Sequence, residues 1–316
     1  MTASLLDRKL LFVTGKGGVG KSTIAASLAL LAAEQGKNTL VCEFDAKGNL
    51  ADFFEAGPTS FRPREIQPRL HAMSMDTEES LKEYLTLQLK LPRMARIGPL
   101  ARIFEFVATA APGVKEILTV GKVTWEVIQQ HYDLVVVEAS PTGHIVGQLE
   151  APQAINELVS VGMVRQQTEM LIEVLRDPER TGIVIVCAPE EMPVNETIEL
   201  SGRIEEETHI DLAAIVVNRV LPELFGRGEE DVFERLREPE PEAALVAAVG
   251  NPVQPVLDAA ELAVTLRRTR AGHLERLRAG VAKDVPMLYV PYLFVRTHGL
   301  RSTRQIAEAL SAELGH

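Results

Sequence analysis

The chain has 316 residues and a mass of 34.6 kDa, with 33 Lys plus Arg against 44 Asp plus Glu, a formal charge of −11. With 46% apolar and 24% charged residues it matches a globular protein, which excludes disordered and collagen-like classes. A pI near 5.3 argues against general affinity for DNA, RNA or anionic lipid, because such binding depends on Lys and Arg neutralising phosphates.

Cys42 and Cys187 sit in apolar runs and are too few for a disulfide framework, so they read as small buried hydrophobes of a reducing compartment. The opening MTASLLDRKLLFVT does not follow the secretory leader pattern, and no apolar run approaches the roughly 20 residues of a membrane span. A cytoplasmic protein without stable membrane insertion is expected.

In chain order, strands are expected at Leu10 to Thr14, Thr39 to Phe44, Leu70 to Met75, Leu134 to Val137, Gly182 to Cys187, Leu212 to Val217 and Pro286 to Val290. These runs are nearly continuously apolar and do not alternate, as in a parallel sheet covered by helices on both faces. The expected fold class is therefore α/β, a doubly wound and mostly parallel sheet. Residues 77 to 131 read as helices broken at Pro92, Gly98-Pro99 and Pro112-Gly113, rich in Leu, Ile and Phe between Leu81 and Val107. A second helical stretch is expected from Pro152 to Arg176. Residues 223 to 242 read as an exposed acidic helix and turn. Although the length alone suggests two domains, 1–316 is expected to be a single α/β domain with helical insertions at 77–131 and 152–176.

The strongest signal is Gly15-Lys16-Gly17-Gly18-Val19-Gly20-Lys21-Ser22, a GxxxxGK[ST] loop between the strand LLFVT and an amphipathic helix beginning STIAASLALLAAEQG. Glycines at 15, 17, 18 and 20 permit a backbone that turns its N–H groups around phosphate oxygens, and the helix start adds a positive dipole end. Lys21 is expected on the β and γ phosphates of ATP or ADP, and the Ser22 hydroxyl on Mg²⁺; Val19 and Thr23 complete the loop. Lys16 marks the deviant Walker A pattern, whose extra lysine reaches a partner subunit's nucleotide and stabilises charge on the transferred phosphoryl group.

Carboxylates Asp45 and Glu138 stand at the ends of the second and fourth expected strands, where metal and attacking water must be held. In order, KGGVGKS, DAKGNLADFF, EASPTGH, PGVKE and VVNRVLPE resemble the ArsA family, which includes the arsenite-pump ATPase and the targeting ATPase for tail-anchored membrane proteins. PTGH at 141 to 144 separates it from ParA, MinD and nitrogenase iron-protein relatives. The resemblance covers nearly the whole chain as one half-sized ATPase unit.

The resemblance implies that Asp45 polarises the water and shares the metal with Ser22 and Glu138. It further implies that Asn218 hydrogen-bonds adenine, and that Pro291, Tyr292 and Leu293 form the loop covering the base. It implies a dimer, either of two copies or with a paralogue, and a hydrophobic groove for a protein client. The apolar residues at 81 to 107 fit either such a groove or ordinary helix packing, and the later insertion adds Met163 and Met170.

Three departures stand out. Glu138 occurs where the family usually has Asp, Lys47-Gly48 replace Ala-His, and no Cys-x-x-Cys is present, so neither a zinc clasp nor a metalloid cluster is expected. The seven histidines show no metal spacing, and the terminal helix from Arg301 to Leu314 lacks the basic-aromatic character of a membrane anchor. The functional expectation is a Mg²⁺-dependent ATPase switch. Its alternatives are a nucleotide-binding, poorly hydrolysing structural subunit of an active paralogue, and a ParA/MinD-like positioning ATPase.

Overall fold

The apolar runs assemble into an eight-stranded sheet in the order β3-β4-β2-β5-β1-β6-β7-β8, seen in a computed structural model that describes residues 4–45, 50–87, 113–159, 161–223, 225–250, 253–295 and 299–315. The strands are β1 Leu10–Thr14, β2 Thr39–Glu43, β3 Arg64–Gln67, β4 Leu70–Ser74, β5 Leu134–Glu138, β6 Thr181–Cys187, β7 Leu212–Val220 and β8 Met287–Pro291. All neighbours pair in parallel except β3, an antiparallel edge strand with a register shift between Glu65 and Gln67. Its residues are exposed or half-buried, so it lacks the apolar run by which the other strands are recognised.

Ten helices are described. They are α1 Lys21–Glu34, α2 Thr77–Leu87, α3 Val114–Ile128, α4 Thr142–Leu158, α5 Met163–Arg176, α6 Glu191–Arg203, α7 Arg227–Leu236, α8 Pro239–Val249, α9 Val253–Gly280 and α10 Leu300–Leu314. Two cores follow from the two sheet faces. Leu11, Val13, Val41, Val136, Val184 and Val216 pack against α1 and α10, while Leu10, Phe12, Leu40, Val135, Ile183 and Ile215 pack against α3, α4, α5 and α6. Both faces of each inner strand are covered, so their side chains are apolar in succession.

Helix α1 departs from the expected amphipathic pattern. Every residue from Ile24 to Ala33 is buried, because the helix is sandwiched between the sheet and α10, and the Ser27 hydroxyl donates to the Thr303 carbonyl oxygen at 3.0 Å. The stretch expected to turn helical at Pro152 begins earlier: α4 runs from Thr142 through Pro152 to Leu158, and α5 follows. Between β7 and β8, α7, α8 and α9 form a helical excursion with its own small core of Phe233, Leu257 and Val264, larger than the acidic helix and turn expected there. Residues 88–112, with most of the apolar run noted above, and Lys47-Gly48 lie outside the described residues. Among the described residues no helix is long and apolar enough to cross a membrane.

Candidate nucleotide site

The phosphate loop leaves the end of central strand β1, and the other candidate residues leave the same, carboxyl edge of the sheet, where open α/β folds place ligands. The Thr14 hydroxyl donates to the Ser140 carbonyl oxygen at 2.8 Å, joining the loop's base to the segment after β5. Gly15, Gly18 and Gly20 take φ of 147°, 86° and 101°, a region glycine enters at little cost. A Cβ at Gly15 would overlap the Val186 carbonyl oxygen, and one at Gly20 would overlap the Asn218 amide nitrogen. Gly17 lies outside the left-handed region, and neither there nor at Gly18 would a Cβ meet an atom within 4 Å. Gly17 therefore keeps the cradle open for a close ligand approach without being required by the backbone conformation.

Helix α1 begins at Lys21 with Gly20 as its N-cap and no side-chain cap. Its first-turn N–H groups point back toward the loop, the arrangement that takes a phosphate. On the next residue, the Ser22 hydroxyl donates to Glu138 Oε1 at 2.5 Å. Glu43 at the end of β2 is in direct parallel register with Glu138 and is only 3% exposed, so two carboxylates share the α1 face of the sheet beside Ser22. Glu43 was not singled out from the sequence; its position two residues before Asp45 is the only signal it carries there. Hard oxygen donors, a hydroxyl and a carboxylate, fit Mg²⁺, which keeps most of its other positions for phosphate and water. Among the described residues no group of three or more His, Cys, Asp or Glu side chains gathers as a self-sufficient metal site. Asp45 is exposed just past β2.

Asn218 reaches the loop from β7. The pairing of β7 with β8 shifts between Val217 and Val220, and Arg219 takes a left-handed φ of 62° with its N–H on Asn218 Oδ1 at 2.9 Å. The irregularity aims a 5%-exposed amide at the loop, where Asn218 Nδ2 donates to the Val19 carbonyl oxygen at 2.8 Å. Pro291, expected in the loop after the last strand, is instead the exposed last residue of β8, paired with Val220; beyond it Leu293 packs on the α1-side core, and the Tyr292 and Phe294 rings lie 4.8 Å apart with Phe294 74% exposed.

Lys16 points elsewhere in the same chain. Its Nζ pairs with Glu196 Oε1 on α6, while the other oxygen of that carboxylate accepts the Thr142 hydroxyl at 2.9 Å. The Lys16 ammonium, then the Thr142 hydroxyl, hold the Glu196 carboxyl below the usual glutamate range despite some burial. Glu196 carried no sequence signal, since an isolated glutamate in a helix is ordinary.

Away from the loop, α2, α3, α4 and α5 enclose an open, mostly apolar groove of about 360 Å³, lined by Leu81, Leu118, Trp125, Ile155, Met170 and Leu171 among others. Buried Lys122 borders it, held by Glu83 and by Glu126 at 2.6 Å, with the Phe61 ring 5.2 Å away.

Glycine-rich loop, uncapped helix, strand-end carboxylates and doubly wound sheet together define a P-loop nucleotide-binding protein. Its sequence matches the profile of the anion-transporting ATPase family, ArsA, over residues 8–170 and 158–240, and the chain belongs to that family. It is 32% identical to the ATPase BagA of Mycobacterium tuberculosis over 96% of this chain and 93% of that protein. It is 29% identical to the arsenical pump-driving ATPase of Acidiphilium multivorum over 67% of this chain and 40% of that protein. It is 28% identical to the ATPase get3 of Pyrenophora tritici-repentis over 69% of this chain and 76% of that protein.

Proposed function

We propose that this chain binds ATP with Mg²⁺ at the phosphate loop, hydrolyses it as one dimeric ATPase unit spanning 1–316, and uses the change to handle an apolar protein client in the cytoplasm. The observation that carries the reading is the meeting of Ser22 and Glu138 at 2.5 Å beside an uncapped helix and an open glycine cradle. Backbone N–H groups of residues 15–20 and Lys21 hold phosphate oxygens. Ser22 and Glu138 hold Mg²⁺, which supplies charge neutralisation on the phosphates. Asp45 orients the attacking water, Lys16 comes from the partner to stabilise charge on the transferring group, and Asn218 and the Pro291–Leu293 loop face the base.

The groove between α2 and α5 supports the client part, because it is concave, apolar and separate from the loop. The test is steady-state ATP turnover and nucleotide binding of the purified chain against Lys21→Ala. The parent is expected to turn over ATP with Mg²⁺ and the variant to lose binding at least tenfold; equal behaviour refutes the site.

The direct Ser22–Glu138 contact also favours a second reading, a nucleotide-binding subunit that hydrolyses poorly until paired with an active paralogue. Glutamate reaches one methylene further than the family's usual aspartate and occupies the hydroxyl itself. Strong turnover by the isolated chain removes this reading.

A further inference from the structure

Glu196 binds two elements at once. One carboxylate oxygen holds Lys16 of the phosphate loop and the other holds Thr142, the first residue of α4. Thirteen residues along α4, about 20 Å at the helical rise, Ile155 lines the apolar groove together with Trp125 of α3. Helices α4 and α6 touch, and α4 packs on both α3 and α5, so the carboxylate sits where the nucleotide loop meets the groove-bearing layer.

We infer that Glu196 is a positioning residue that latches Lys16 and the start of α4 to one carboxylate, so that Lys16 reaches a phosphate only by leaving Glu196, and α4 loosens in the same step. The inference rests on the reading of Lys16 as a nucleotide-facing group. Delivery of Lys16 to a partner subunit's phosphate carries its ammonium away from Glu196 on the same chain, so the two anions compete for it. The Lys16 and Glu196 side chains are 30% and 29% exposed, which lets water replace the lost contact and keeps the exchange reversible. Once the cation departs, Glu196 is held at Thr142 by one bond from a partly exposed hydroxyl, and the pin on α4 weakens.

The chain carries its own reporter, since its only tryptophan, Trp125, lines the groove. The experiment measures affinity for a non-hydrolysable ATP analogue with Mg²⁺, and Trp125 emission, in the full chain and its variants. Glu196→Gln is expected to bind the analogue about fivefold tighter, the scale of one partly exposed charge pair, and its nucleotide-free emission to resemble that of the analogue-bound parent. Glu196→Asp, which keeps the charge, is expected to behave like the parent. Thr142→Val, which removes only the hydroxyl, is expected to shift Trp125 emission and to tighten binding less than Glu196→Gln does, because Lys16 keeps its carboxylate, and serves as the measurement if Glu196→Gln does not fold. Parental affinity and emission in Glu196→Gln, with affinity weakened in Lys16→Ala, overturn the latch and leave the nucleotide role of Lys16 standing. Parental binding and turnover in Lys16→Ala overturn that role and the latch with it. Trp125 emission unmoved by the analogue in the parent, or by Thr142→Val, overturns the link to the groove.

Discussion

The Ser22 hydroxyl and Glu138 Oε1 meet at 2.5 Å across the gap between the first turn of α1 and the end of β5. Removing the carboxylate takes away the hydroxyl's partner and, on the proposed function, a donor to the metal. Glu138→Ala is expected to raise the Mg²⁺ concentration for half-maximal ATP turnover by about 10- to 100-fold, the usual cost of losing such a partner. A magnesium titration of both proteins checks it; an unchanged midpoint removes Glu138 from the metal site.

Asn218 and Gly20 depend on each other. Asn218 Nδ2 occupies the space a Cβ at Gly20 would need, and it satisfies the Val19 carbonyl. Asn218→Ala leaves that carbonyl without this donor and is expected to cost about 1–3 kcal/mol of stability, along with weaker nucleotide binding. Gly20→Ala adds a left-handed strain to the overlap and is expected to abolish nucleotide binding. Urea unfolding and nucleotide titration separate the two effects.

Both cysteines are fully buried, and they lie on strands β2 and β6, three strand spacings apart, about 14 Å. Burial pushes both thiols up, Cys187 to about 11 and Cys42 further. At neutral pH the Cys187 thiolate is then about one part in ten thousand, and the thiolate is the reactive form. The native protein is expected to show no reaction with a disulfide reagent over minutes at pH 7, and two reactive thiols in urea. Rapid labelling of one native thiol would contradict this burial, and arsenite is not expected to bridge the pair.

At the opposite edge of the sheet, Arg8 is 2% exposed and bonds the Thr181 carbonyl oxygen at 2.7 Å and Asp211 at 2.5 Å. A Cβ at Gly182 would stand 2.6 Å from the guanidinium and 2.7 Å from the Ala213 Cβ. Gly182→Ala is expected to lower stability by about 1–3 kcal/mol through overpacking, without changing nucleotide affinity. A shift of affinity at unchanged stability would show that this edge communicates with the loop.

The groove makes a separate demand. Leu171 lines it opposite Leu118 and Trp125, and a charge there would be desolvated by any apolar occupant. Leu171→Glu is expected to weaken retention of a hydrophobic helical peptide at least tenfold in a gel-filtration assay with the nucleotide-loaded full chain. Equal retention would place the client elsewhere.

Motif order alone was enough to identify the family and to single out the glycine loop and the strand-end Glu138 as candidates, because glycine spacing and strand-end charges are local properties that survive in a linear string. Seven of the eight strands were legible because each is a mostly apolar run: β1, β2, β5 and β6 are buried almost throughout, while edge strand β8 is half-buried but keeps Leu288 and Val290 in the core. Edge strand β3 was not, since half-exposed Arg64–Gln67 has no such run, and the buried α1 looked amphipathic until α10 covered its outer side. Only the tertiary structure could bring Glu43 to Glu138, Asn218 to Val19, and Glu196 to both Lys16 and Thr142. Those contacts join residues up to 199 positions apart, and no local propensity encodes a pairing that exists only when separate strands end on one edge of a sheet.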